Sequence, residues 1–87
     1  MKGYVYILKD SKGKFYVGST TDVKRRLDQH SSGHTQTTKR MDKPCLVLVQ
    51  EYDSLIMARN IERKIKNLKR KDYIEKMVNE GYIGMGI

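Results

Sequence analysis

Two short runs near the N-terminus are built from aromatic and β-branched residues, Tyr4-Val5-Tyr6-Ile7-Leu8 and Phe15-Tyr16-Val17, a composition that suits strands. Between them Asp10 and Gly13 stand where a type I turn takes its first and fourth residues. Gly13 can adopt the left-handed conformation of a three-residue hairpin loop with a bulge. With Ser11-Lys12-Gly13 as the loop, Asp10 faces Lys14, Leu8 faces Tyr16 and Tyr6 faces Gly18. Tyr4, Tyr6, Tyr16 and Gly18 then share one face of the hairpin. Tyr6 and Tyr16 become diagonal neighbours, roughly 7–8 Å apart at the backbone. Gly18 leaves bare backbone beside Tyr6, with space for a second side chain, a hydrated metal or a phosphate.

Helical spacing takes over after the hairpin. Val23 and Leu27 are four apart, with Arg26 and His30 flanking that stripe, in a helix from about Asp22 to Ser31 or Ser32. Thr20 or Thr21 serves as its cap, Asp22 suits its positive end, and Gly33 ends it. Residues 33–44 are polar and aperiodic and read as a loop. The nearly continuous apolar run Cys45-Leu46-Val47-Leu48-Val49, continued through Tyr52, reads as a strand covered on both faces, the most covered in the chain. Cys45 is expected to be a small buried residue at its start. Asp53 or Ser54 caps a second helix with the stripe Leu55, Ala58, Ile61, Ile65 and Leu68. Glu62 falls within or beside that stripe. The helix bends or restarts at Lys69 to Lys71. Tyr73, Ile74, Met77 and Val78 form a third helix that Gly81 closes. The pattern predicts a small α/β (α+β) domain over residues 1–81, a three-stranded antiparallel sheet flanked by helices in the order β-β-α-β-α-α. Residues 82–87 form an apolar, glycine-rich tail that packs on the domain, dimerises or stays loose.

Length and charge narrow the possibilities. Eighty-seven residues make one domain that buries only about 60% of its unfolded surface. No apolar run approaches the ~20 residues of a membrane span, and the N-terminus lacks the apolar core of a signal peptide. A single cysteine cannot staple the fold and fits a reducing cytoplasm. His30, His34 and Cys45 do not form a zinc set, because Gly33 breaks the helix between the histidines. Eighteen Lys and Arg against ten acids give a net charge of +8, which points to an anionic partner, above all nucleic acid, with a membrane-surface helix as the minor alternative; no membrane partner is expected. The candidate DNA-binding residues are Lys14, Lys24, Arg25, Lys39, Arg40, Arg63 and Lys66.

Four chemical groups converge in this arrangement: Tyr6 and Tyr16 on one sheet face, Arg26 at the edge of the first helix, and Glu62 pointing inward from the second. A charged carboxylate and guanidinium near a small core are costly unless they pair with each other or hold a metal. Both explanations remain open on spacing alone.

The paired tripeptides Tyr4-Val5-Tyr6 and Tyr16-Val17-Gly18 resemble the signature of the GIY-YIG nuclease superfamily, with tyrosine in place of the first glycine, as in small stand-alone members. The resemblance continues through Arg26-Leu27 with His30, through Ala58 and Glu62, and through the basic helix at Ile65-Lys66. It covers roughly residues 3–80, and Arg26-Leu27-Asp28-Gln29-His30 resembles the junction- and flap-cutting branch. The resemblance implies a metal-dependent endonuclease that cleaves DNA phosphodiester bonds, leaves a 5′-phosphate and a 3′-hydroxyl, and serves DNA repair or recombination. It implies one Mg²⁺ (or Mn²⁺) ion on Glu62, Arg26 gripping the scissile phosphate, Tyr6 as base or water-orienting group with Tyr16 as its partner, and His30 assisting or contacting phosphate. Gly18 and Asn79 would be supporting residues.

A tyrosine near its ordinary pKa is a poor base at neutral pH, so a cation or hydrogen bond must assist Tyr6. Relatives usually take target choice from an extra domain. Structure-selective cutting, or a protein partner that supplies the target, is therefore expected. The alternatives are a non-catalytic nucleic-acid-binding module on the same fold and an interaction protein that uses the basic helices.

Overall fold

A computed structural model describes residues 1–31 and 43–84. The described elements are β1 (Gly3–Lys9), β2 (Phe15–Thr20), α1 (Val23–Ser31), β3 (Cys45–Tyr52), α2 (Leu55–Leu68) and α3 (Lys71–Glu80). The strands form one antiparallel sheet in the order β2-β1-β3, the α+β arrangement that the pattern predicts. The expected loop from Gly33, the histidine at 34, the helix stop at Gly33 and the last three residues of the tail lie outside the described residues.

The hairpin follows the predicted register. Leu8 pairs with Tyr16 and Tyr6 with Gly18. Gly13 has φ +84° and its N–H donates to the Asp10 carbonyl at 3.1 Å. The Asp10 carboxylate accepts the N–H groups of Lys12 (3.0 Å) and Lys14 (2.7 Å), an Asx-type closure that fixes the turn from inside.

The central and most covered strand is β1, which corrects the expectation for β3. Val5, Tyr6, Ile7 and Leu8 are all between 0% and 2% exposed, whereas Leu46 and Val49 of β3 are 40% and 39% exposed. A bulge explains the misleading apolar run. Ile7 pairs with Leu48 but Leu8 pairs with Leu46, so Val47 is an extra residue that packs toward the core between them. Apolar residues can then follow one another while β3 remains an outer strand with one well-covered face. Cys45 is exposed, not buried, because the bulge region and strand start lie at the sheet margin.

Val5, Ile7, Val17, Leu48 and Tyr52 form the sheet face that packs against Ala58, Ile61 and Ile65 of α2 and Met77 of α3. Ser54 caps α2, its Oγ accepting the Met57 N–H at 3.2 Å. Asp22, not Thr20 or Thr21, caps α1: its carboxylate accepts the Arg25 N–H at 3.1 Å. Thr20 instead accepts the Asp22 N–H at 3.1 Å, which holds the capping residue itself. Helix α2 stops at Lys69, which takes the left-handed conformation (φ 51°), and α3 starts after Arg70. Past Gly81 the chain turns back. The Gln50 amide accepts the Ile83 N–H at 2.6 Å and donates to the Ile83 carbonyl at 3.2 Å, and the Ile83 side chain is buried.

Candidate active site

Tyr6 and Tyr16 lie on the same sheet face with ring centroids 6.2 Å apart and planes at 45°. The space beside Gly18 is not left for a metal or a phosphate. It is filled by Tyr6 itself: a Cβ built on Gly18 would lie 2.4 Å from Tyr6 Oη and 2.5 Å from Cζ. The Tyr6 ring crosses β2 at the one position without a side chain, and its hydroxyl is carried toward the outer edge of the sheet.

Glu62 reaches the same edge from the other side. It stands one position after Ile61 and three before Ile65, both fully buried, at the margin of the α2 stripe. Its Oε1 accepts a hydrogen bond from the Ser19 hydroxyl, and its Oε2 lies 2.5 Å from the Lys66 ammonium. Ser19 pairs with Val5 and faces the helices; Tyr6 and Tyr16 face the opposite way. β2 is an outer strand, so the two sets of groups meet around its edge. The ion-pair alternative left open by the sequence is thus partly realised, with Lys66 and not Arg26 as the partner.

Arg26 completes the set from the first turn of α1. Together with Thr20, Thr21, Asp22, Arg25 and Gln29 it lines a polar concavity of about 280 Å³. Among the described residues it makes no ion pair. Its charge is nonetheless felt at Tyr6. Burial pushes the Tyr6 hydroxyl well above the usual tyrosine range and the Tyr16 hydroxyl adds to the rise. The Arg26 guanidinium pulls it down, and the Glu62 carboxylate pushes it up again. The Tyr6 hydroxyl therefore lies within electrostatic reach of residues on β2, α1 and α2. At neutral pH it is a protonated phenol.

The basic residues divide into groups. Lys14 and Lys66 rim a groove of about 480 Å³ beside Tyr16, with Phe15, Val17, Ile65 and Ile74 as an apolar floor. Lys69, Arg70 and Lys71 extend that rim, and the sequence reading did not place them at the site. They are brought there by the break between α2 and α3, which a periodicity argument registers only as a discontinuity. Arg25 lies beside Arg26, Lys24 is exposed on α1, and Arg63 shares a concavity with Glu62. Lys39 and Arg40 lie outside the described residues. His30 belongs to α1, one turn beyond Arg26. Asn79 is exposed near the end of α3, apart from the elements that carry Tyr6, Tyr16, Arg26 and Glu62. Ser19 is a further residue missed in the sequence. Its contact with Glu62 joins positions 43 apart and leaves no trace in local spacing. Lys66 is different: its spacing of four from Glu62 on one helix is a readable pairing signal.

The donor set suits one kind of ion. Among the described residues no three His, Cys, Asp or Glu side chains cluster, which leaves zinc unsupported. A single carboxylate with hydroxyl groups nearby suits a hard, largely hydrated divalent ion such as Mg²⁺. The Lys66 ammonium on Glu62 Oε2 is a cation already standing at that carboxylate. Among the described residues no helix is long and apolar enough to cross a membrane.

Residues 2–84 match the family model described as the GIY-YIG catalytic domain. A UPF0213 protein of Streptococcus pneumoniae is 37% identical over 70 residues, 79% of this chain and 71% of its own. Another, from Staphylococcus saprophyticus, is 30% identical over 81 residues, 92% of this chain and 98% of its own. Among solved structures, the solution NMR structure of a UPF0213 protein from Bacillus halodurans superposes with a TM-score of 0.59 at 34% identity, covering 93% of this chain and 87% of that one.

Proposed function

The chain belongs to the GIY-YIG family, a nuclease family, and we propose that it is a divalent-metal-dependent endonuclease that hydrolyses DNA phosphodiester bonds and selects DNA by shape, not sequence. The observation that carries this reading is the meeting of four groups around the edge of β2: the Tyr6 and Tyr16 rings 6.2 Å apart on one face, Arg26 in the concavity at the start of α1, and Glu62 held by Ser19 on the other side. A structural ion pair alone would not require a buried phenol at its side.

Glu62 is the residue that would hold Mg²⁺ or Mn²⁺, with Ser19 fixing one carboxylate oxygen. Such an ion would supply positive charge for the developing phosphorane. Arg26 grips the scissile phosphate through two parallel N–H bonds. The raised Tyr6 hydroxyl favours a water-orienting role over that of a free base, with Tyr16 holding its direction. Attack by water at phosphorus breaks the bond to the 3′ oxygen, which takes up a proton equivalent to the one the water gives up and leaves as a hydroxyl, and the phosphate stays on the 5′ side. The rim of Lys14, Lys66, Lys69, Arg70 and Lys71 would hold the backbone leading to the site through phosphate contacts. Selection by shape fits tasks in DNA repair or recombination, with a protein partner as a further source of target choice.

One observation favours a non-catalytic binding module: the carboxylate already has a cationic partner. Labelled duplex, flap, junction and single-stranded DNA incubated with Mg²⁺, with Mn²⁺ and with chelator decide between the two. Metal-dependent cutting of at least one substrate by the wild type, absent from Glu62→Gln, is the expected result. Tight binding with no cutting in either metal selects the binding module.

A further inference from the structure

Lys66 occupies an unusual place in this site. Its ammonium lies 2.5 Å from Glu62 Oε2 and 5.8 Å from the centre of the Tyr16 ring. It borders both the concavity that contains Glu62 and the groove beside Tyr16. The other Glu62 oxygen is taken by Ser19. A divalent ion arriving at this carboxylate therefore meets a positive charge on the oxygen it needs. The lysine side chain is 51% exposed and the glutamate side chain 19%, so the lysine can leave while the carboxylate stays. Its flexible stem allows that movement without a change in α2.

The geometry points to Lys66 as a guard cation: it holds the Glu62 carboxylate in the free protein, and moves to DNA phosphate in the groove beside Tyr16 when a divalent ion takes its place. This inference rests on the reading of Glu62 as the metal residue. Two cations on one carboxylate repel each other. A phosphate in the groove relieves that repulsion by giving the ammonium a second anionic partner. Metal entry and DNA binding then favour each other, as any such linkage must be reciprocal. Lys66 is a positioning residue in this scheme, because it acts through Glu62.

The test is direct binding of Mn²⁺ to the whole chain without DNA, followed by electron paramagnetic resonance of the free ion. Lys66→Met keeps most of the stem and removes the charge. It is expected to bind Mn²⁺ roughly two- to fivefold more tightly than wild type, the factor set by removing a half-exposed competing ion pair. Adding Glu62→Gln should abolish the gain. A purely structural role for Lys66 predicts the opposite sign, because a disordered carboxylate binds more weakly. In wild type, Mn²⁺ should also raise the acetylation rate of Lys66 relative to Lys24. Equal or weaker Mn²⁺ binding by folded Lys66→Met overturns the proposal, and so does a gain that survives Glu62→Gln. Metal-dependent DNA cleavage by wild type alongside either result leaves the nuclease reading standing. Tighter, Glu62-dependent binding in a protein that cuts no DNA leaves the guard standing and removes the nuclease.

Discussion

Gly18→Ala tests whether the site depends on the passage of the Tyr6 ring across β2. The added methyl would sit 2.4 Å from Oη, 2.5 Å from Cζ and 3.0 Å from Cε1. Ordinary carbon contacts are about 3.5–4.0 Å, so the overlap is on the order of 1 Å at the hydroxyl end of the ring. Tyr6 is only 2% exposed, and an aromatic ring cannot bend out of the way as a flexible chain does. The whole ring must tilt within a closed pocket, an overpacking cost of about 1–3 kcal/mol. For a domain of this size that lowers Tm by about 5–20 °C. Moving the hydroxyl by about 1 Å should lower cleavage by about 100-fold. Urea melts of a double-mutant cycle isolate the contact. In a Tyr6→Ala background the ring is gone, and Gly18→Ala should become nearly neutral, giving a coupling of about 1–3 kcal/mol. In a Tyr6→Phe background most of the cost should persist, because Cζ remains in place. A Gly18→Ala protein with unchanged Tm, or one that loses the same stability with and without the ring, refutes this account.

Glu62→Gln should abolish metal-dependent cleavage and leave DNA affinity equal or higher. It should change stability by less than about 1 kcal/mol, since the lysine it deserts is half exposed; a folded, fully active variant would end the metal assignment. Tyr6→Phe and Arg26→Ala should each abolish turnover with a native circular dichroism spectrum, Arg26→Ala chiefly by weakening the transition state; near-normal turnover in either removes its assigned role. For pH, the folded-state pKa of Tyr6 is raised above the ordinary value of 10.0. Its stabilising contribution is therefore complete below pH 10 and lost as the pH climbs above it. The urea midpoint should fall above pH 10, and Tyr6→Phe should flatten part of that fall; the rest belongs to Tyr4 and Tyr52, which are raised as well. DNA affinity should drop steeply between low and moderate salt in filter binding, and a flat response would contradict phosphate-dominated contact.

Local rules were enough for the hairpin, because Asp10, Gly13 and the alternation of Tyr6, Leu8 and Tyr16 fix its register over a dozen residues. They were enough for the inward side of α2, where Ala58, Ile61 and Ile65 declare the buried face and Glu62 its margin. They failed where one extra residue changes the periodicity. Val47, displaced by the bulge, turned an outer strand into an apparently two-faced one and drew Cys45 inward with it. They failed also where a side chain fills a space that another residue leaves, as Tyr6 does at Gly18; a sequence shows the missing Cβ but not which neighbour uses it. The cap of α1 went to Asp22 and not to a threonine because the threonine was already engaged in holding that aspartate. Ser19 comes to the site only through the packing of β2 against α2, which has no local signature; the break after Leu68 is legible as a discontinuity at Lys69 to Lys71, but not where it carries those residues.

The central strand is synthesised before both strands that it pairs with. β1 pairs with β2 across a short turn, but its other side must wait for residues 45–52, with Tyr4 opposite Glu51. Closing that loop is the long-range, entropically slow step of folding. The order of synthesis thus becomes an order of assembly for the site. The two tyrosines meet as soon as the hairpin forms, Arg26 follows on α1, and Glu62 arrives only when α2 docks on the finished sheet. A growing chain would contain its phenols and its guanidinium before its acid, and the acid's helix is what closes the set.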